Sequence, residues 1–123
     1  MELRGILIDT IDNYAIGKSI DEKQIKNFLN FVYCKKPELK TLIVDMAITK
    51  KTSIQIAILY NNNALENMEA PISSYGNKGA LTYGTIFIVG YANNKLTSLS
   101  LNLIHQILDK KVVNKFGRVV LQL

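Results

Sequence analysis

Two apolar runs, TLIVDMAI (Thr41–Ile48) and SIQIAILY (Ser53–Tyr60), are separated only by TKKT. Both are rich in isoleucine and leucine and have the length of ordinary strands. So short a polar connection suits a hairpin, which makes the two runs antiparallel neighbours. Each is apolar on both faces in part, as central strands of a sheet tend to be. The rest of the chain has to pack around that pair.

The flanking segments supply the partners. LRGILID (Leu3–Asp9) reads as a first strand, and TIDNYAIGK after it reads as a loop with some extended structure. SIDEKQIKNFLNFVYCKK reads as a helix. Ser19 and Glu22 have capping-box spacing, and Asp21 falls in the first turn. Ile25, Phe28, Leu29 and Val32 share one helical face, and Lys35 and Lys36 close the helix before Pro37. TIFIVGYA (Thr85–Ala92) predicts a further strand, and Thr97 or Ser98 can cap a second helix through LSLNLIHQILDKK. Its buried stripe would be Leu101, Ile104, Ile107 and Leu108; RVVLQL (Arg118–Leu123) ends the chain as a strand. Phe28, Leu29, Val32, Leu101, Ile104 and Leu108 are the expected helical contribution to the core. The expected fold is α+β: two helices on a mixed sheet of about five strands, in one domain spanning residues 1–123. Its order is strand, helix, strand, strand, long loop, strand, helix, strand. The two strand-helix-strand units share a plan, although hydroxyl caps and C-terminal lysines would produce that echo without duplication.

Composition narrows the functional classes. With 123 residues, 48% of them apolar and 20% charged, the chain can bury a core without staples or metals. No apolar run approaches the roughly 20 residues of a membrane-spanning helix. The acidic start MELRGILIDTID is unlike a signal peptide, so a cytoplasmic location is expected. The single cysteine, Cys34, fits a reducing compartment, and a packing role is expected for it. The formal charge of +5 comes almost entirely from lysine; the arginines are Arg4 and Arg118. Abundant lysine, asparagine and isoleucine indicate AT-rich coding.

The segment from Asn61 to Gly84 is long for a connection in so small a chain, and such loops are usually functional or disordered. Met68, Ile72, Tyr75, Leu81 and Tyr83 argue for packing against the body, with YGNKGA as the tip of a small hairpin. Taking the start of the first strand as the lower end and the first crossover as right-handed, the strand directions put both ends of this loop at the lower end. The same reasoning sends Lys35, Lys36, Lys40, Lys110, Lys111 and Lys115 there, and Lys18, Lys50, Lys51 and Lys95 to the opposite end. Tyr75, Asn77, Lys78, Tyr83, Lys110 and Lys111 are therefore the candidate partner-binding residues. Tyrosines would serve as anchors and lysines as a steering rim. The competing reading makes the loop an edge cover that blocks sheet-to-sheet pairing.

Residues suited to catalysis are few. His105 lies beside the apolar stripe of the second helix, and no histidine or cysteine pair exists for zinc. Cys34 has no base near it in sequence. Asp9, Asp12 and Asp45 could gather at the upper ends of the first two strands as a cation site. GNKG lacks the spacing and the following hydroxyl of a phosphate loop. No catalytic residue, metal or cofactor is assigned. Lysines with tyrosines could serve nucleic acid, but arginine, suited to bidentate base reading, is nearly absent.

From about Asp45 to Lys111 the order of features resembles a small domain of unknown function from phages, plasmids and conjugative elements of Gram-positive bacteria. The positions that carry the resemblance are Asn62, Pro71, Gly84, Thr85, Phe87, Val89, Gly90, Ser98 and Leu99; PISSYG stands where the family pattern has an Asn-Arg pair after the proline. The resemblance implies a mobile-element setting and no catalytic residues. The expected function is non-enzymatic binding that inhibits or redirects a host or defence protein. The alternatives are a nucleic-acid-binding accessory protein and a small-molecule binder with a pocket under residues 61–84. No membrane partner is expected. A homodimer through the edge of the C-terminal strand is a further expectation.

Overall fold

The fold departs first from that expectation at TIDNYAIGK. The structure is a computed structural model that describes residues 1–9, 12–29, 36–63, 71–75, 80–113 and 119–121. After β1 (Glu2–Asp9) the chain reverses at Asn13, whose φ of 58° is left-handed, and returns as β2 (Tyr14–Asp21). The two strands pair antiparallel from Glu2–Asp21 to Asp9–Tyr14. Asparagine tolerates that backbone geometry because its short amide bonds locally. Ser19 is used within β2, opposite Arg4, so the expected capping box does not form. Asp21 is the N-cap instead, its carboxylate accepting from the Lys23 N–H at 2.9 Å. The first helix is a short 3-10 helix, Glu22–Phe28, that buries Ile25. Val32, Cys34 and Lys35 lie outside the described residues.

The central hairpin is as expected. β3 (Leu39–Ala47) and β4 (Ser53–Asn61) pair without a bulge from Leu39–Asn61 to Ala47–Ser53. In the connecting turn the Thr49 hydroxyl accepts from the N–H groups of Lys51 and Thr52. The long segment contains a small hairpin, β5 (Pro71–Tyr75) with β6 (Ala80–Tyr83). β7 (Ile86–Ala92) then turns through Asn93 and Asn94, both with positive φ, into the short β8 (Lys95–Thr97). Helix α1 (Leu101–Leu108) follows, capped by Ser100 rather than Thr97 or Ser98. The Ser100 hydroxyl accepts from the Leu103 N–H at 3.2 Å. β9 (Lys111–Val113) and β10 (Val119–Leu121) pair with each other.

The architecture is α+β: among the described residues there are two helices and a six-stranded sheet in the order β2-β1-β7-β4-β3, β8 joining β7. Every recorded pairing is antiparallel, where a mixed sheet was expected. The reason is β2. By returning the chain to its starting end, it reverses the direction with which the next segment sets out. β1 and β8 share one edge of β7, β1 taking Ile86–Ile88 and β8 taking Gly90–Ala92.

Alternation sorts the side chains into two layers. Leu3, Leu7, Ala57, Leu59, Phe87 and Val89 face the 3-10 helix and meet Ile25 and Leu29. Ile6, Ile8, Ile56, Ile58, Ile86 and Ile88 face α1 and meet Ile104 and Ile107. Burying each such side chain contributes about 1.5–3 kcal/mol, so both faces need their cover. Of the six expected core residues, Leu29 and Ile104 are buried, Phe28 and Leu108 are partly buried, and Val32 is not described. Leu101 is a correction: it is 59% exposed, because it opens the helix and the buried stripe lies at Ile104 and Ile107. No helix among the described residues is long and apolar enough to cross a membrane.

Candidate binding surface

Let the start of β1 mark the lower end of the sheet. β1 rises, so its antiparallel neighbours β2 and β7 descend, β4 rises and β3 descends. β4 therefore delivers Asn61 to the upper end, and Gly84 and Thr85 re-enter β7 there. The sequence placed this loop at the lower end; the antiparallel sheet corrects that. Both ends of the loop do share one end of the sheet.

The lysines move with the loop. α1 begins low, where the Leu99 N–H donates to the Arg4 carbonyl at 2.8 Å. Midway, Gly17, opposite Ile6, lies directly against Ile104. Beyond the helix, the Val119 N–H donates to Asn13 Oδ1 at 2.9 Å, in the upper β1–β2 turn. Lys111 pairs with Leu121 in that same small ribbon, and Lys110 precedes it; both are exposed. Lys36 and Lys40 also fall at the upper end, around the start of β3. Lys50, Lys51 and Lys95 occupy lower turns. Two reversals thus cancel: the long loop and Lys110–Lys111 share an end, but it is the end away from the start of β1.

At that end β5 lies against β10, and β6 lies against β4. Tyr75 stands opposite Ala80 and Tyr83 opposite Pro71 along the β5–β6 hairpin, with a register shift between Pro71 and Ser73. Asn77 and Lys78 lie outside the described residues, as do Lys115 and Arg118.

The Asn61–Asn63 triplet fixes where the loop leaves. Asn61 is buried, and its Oδ1 accepts from the N–H groups of Glu38 at 3.0 Å and Asn63 at 3.1 Å. The Asn62 N–H donates to the Glu38 carbonyl, and the Asn63 side chain donates to the Lys36 carbonyl. Three asparagines therefore tie the exit of β4 to the entry of β3. The sequence displayed the triplet, but which amide would turn inward depended on the β3–β4 register. Lys40 forms an ion pair with Glu38 at 3.0 Å; that hydrogen bond and the Glu38 charge raise the Lys40 pKa. Exposed pairs of this kind contribute little to stability.

The acids the sequence grouped are split. Asp9 Oδ1 accepts from the Asp12 N–H at 3.0 Å within the upper turn. Asp45 lies opposite Gln55 on β3, nearer the lower end and exposed. The gathering of Asp9, Asp12 and Asp45 is thus corrected, because β3 descends. His105 is exposed on α1. A cleft of about 390 Å³ opens at the lower end between β4, β7, β8 and α1, with Gln55, Tyr91, Thr97 and Leu103 on its walls. It is remote from the exit of the long loop at Asn61.

Comparison with protein-family models, characterised proteins and solved structures finds no match, so the reading of this surface stands on its geometry.

Proposed function

We propose that the protein acts by binding, without a catalytic step, and that the upper end of the sheet is its partner-facing surface. The observation that carries this reading is the convergence of the β5–β6 hairpin with the ribbon bearing Lys110 and Lys111, through the contact of β5 with β10. Tyr75 and Tyr83, on that hairpin, are the proposed anchors, since tyrosine combines a large contact area with few torsions to freeze. Exposed lysines beside it raise the encounter rate with an acidic surface more than they tighten the complex. The partner class is a host or defence protein that the chain inhibits or redirects, in keeping with the mobile-element resemblance.

The second reading is nucleic-acid binding, favoured by Lys36, Lys110 and Lys111 at one end. Binding measured against salt separates the two. A phosphate-dominated complex loses affinity with a log–log slope of about −0.9 per phosphate neutralised. Binding to labelled duplex or single-stranded DNA with that steep slope would favour the second reading. A protein captured from host lysate and held with a shallow salt dependence supports the first.

A further inference from the structure

The six-stranded sheet ends in two outer strands, β2 and β3. Among the described residues nothing pairs with the outer edge of β3. An edge strand presents unpaired N–H and C=O groups, and native chains usually block it with a bulge, a proline, a central lysine or a cover. β2 has such a block, with Gly17 and Lys18 in its middle. β3 does not. It runs nine residues, LKTLIVDMA, without proline, glycine or register shift, and Lys40 sits near one end. Its centre is Leu42–Ile43–Val44, and Ile43 is 38% exposed.

We propose that the edge of β3 pairs antiparallel with β3 of a second copy, joining two sheets into one across a twofold axis at Ile43. The occupant follows from the strand's self-complementarity. A twofold axis perpendicular to the sheet keeps each face on its own side, so opposed residues share parity. With the axis at Ile43, Leu42 faces the second copy's Val44 on the α1 side. On the other side Ile43 faces its own mate, and the Thr41 hydroxyl faces the second copy's Asp45 carboxylate. With the axis at Leu42, Asp45 falls opposite Leu39; at Val44, it falls opposite Ile43. Both alternatives set a carboxylate against an aliphatic chain, so pairing about Ile43 is favoured. The C-terminal strand, where an open edge was expected, is occupied: β10 pairs with β9 and rests against β5, with Leu121 buried. Edge pairing alone buries little area, so the dimer is weak and concentration-dependent. It uses a surface separate from the upper end and does not depend on the partner proposed there.

Sedimentation velocity over a wide concentration range tests this. The wild-type chain should shift from monomer to dimer as concentration rises. Ile43→Lys places a charge on an already exposed position; it should raise the dissociation constant at least about tenfold, ~1.4 kcal/mol, while leaving the thermal melt unchanged. A second variant pair fixes the register, both members in a Cys34→Ser background. Ile43→Cys puts two thiols on Cα atoms about 4.5–5.5 Å apart, within disulfide reach. Ala47→Cys puts them roughly 25 Å apart. With glutathione disulfide as oxidant, each cross-link consumes one glutathione disulfide and releases two glutathiones. Cross-linking should occur in the Ile43→Cys chain and not in the Ala47→Cys chain. A chain monomeric at every concentration, a dimer untouched by Ile43→Lys, or equal cross-linking at both positions would overturn the proposal.

Discussion

Gly5 shows how little room the centre of this sheet leaves. A Cβ at Gly5 would lie 2.0 Å from the Ile88 carbonyl oxygen and 2.8 Å from Val89 Cγ1. The obstacle is backbone of a central strand, at the point where β1 gives up the edge of β7 to β8, so it cannot swing aside. Gly5→Ala should therefore cost at least about 2 kcal/mol in urea unfolding, with an unchanged m-value. Tyr14 makes a residue-scale prediction about pH. Burial first, then the neighbouring Asp9 charge and hydrogen bond, push its phenol pKa above 10.0. A folded-state pKa above the unfolded one means the native state holds the proton more tightly. The associated stability is complete below the unfolded phenol pKa, about 10, and is lost as pH rises through the folded value. Spectrophotometric titration should show Tyr14 ionising late, identified by its loss in Tyr14→Phe, and Asp9→Asn should bring it back toward the ordinary value.

At the scale of elements, turns and caps set what periodicity could and could not reveal. Asn93 and Asn94 both hold positive φ, 54° and 60°, in the two-residue turn from β7 to β8. That is the geometry favoured where right-handed strands must close tightly. Asn94→Val should cost at least about 1 kcal/mol by thermal melt, and Asn94→Gly should leave stability level or higher. The long apolar runs that became β1, β3, β4 and β7 were legible because alternation and β-branching repeat over many residues. β2 was not: Gly17 and Lys18 interrupt it, and its outward Ile16 is 40% exposed, so it lacks a continuous apolar signal. The first helix was over-extended because Ser19 and Glu22 have cap spacing, while Ser19 is consumed by pairing with Arg4. Local propensity could not reveal that loss, since it comes from a strand partner. β9 and β10 are three-residue strands, too short to display a period.

For the whole molecule, one missed strand changed every direction after it, yet the relation between the loop and the lysines survived. Which features share an end depends on relative directions, and these changed together. That the central strands bury both faces was legible from their apolar residues at both parities. The asparagine clamp at Asn61 was not, because its partners come from residues 36–38 on the neighbouring strand's approach. The proposed partner surface at the upper end and the proposed self-association at the β3 edge are separate. Mutations at one should leave the other intact; Ile43→Lys should not alter partner capture. Partner association measured for wild type and for variants at opposite ends, each checked for an unchanged fold, tests the upper-end surface. With the protein captured from host lysate as the probe, Lys110→Gln with Lys111→Gln should mainly slow association. Tyr75→Ala and Tyr83→Ala should each weaken binding by at least ~1 kcal/mol. Lys50→Gln with Lys51→Gln, at the lower turn, should change neither. Binding that survives every upper-end change, or that depends equally on Lys50 and Lys51, would contradict the assignment of the upper end as the working surface.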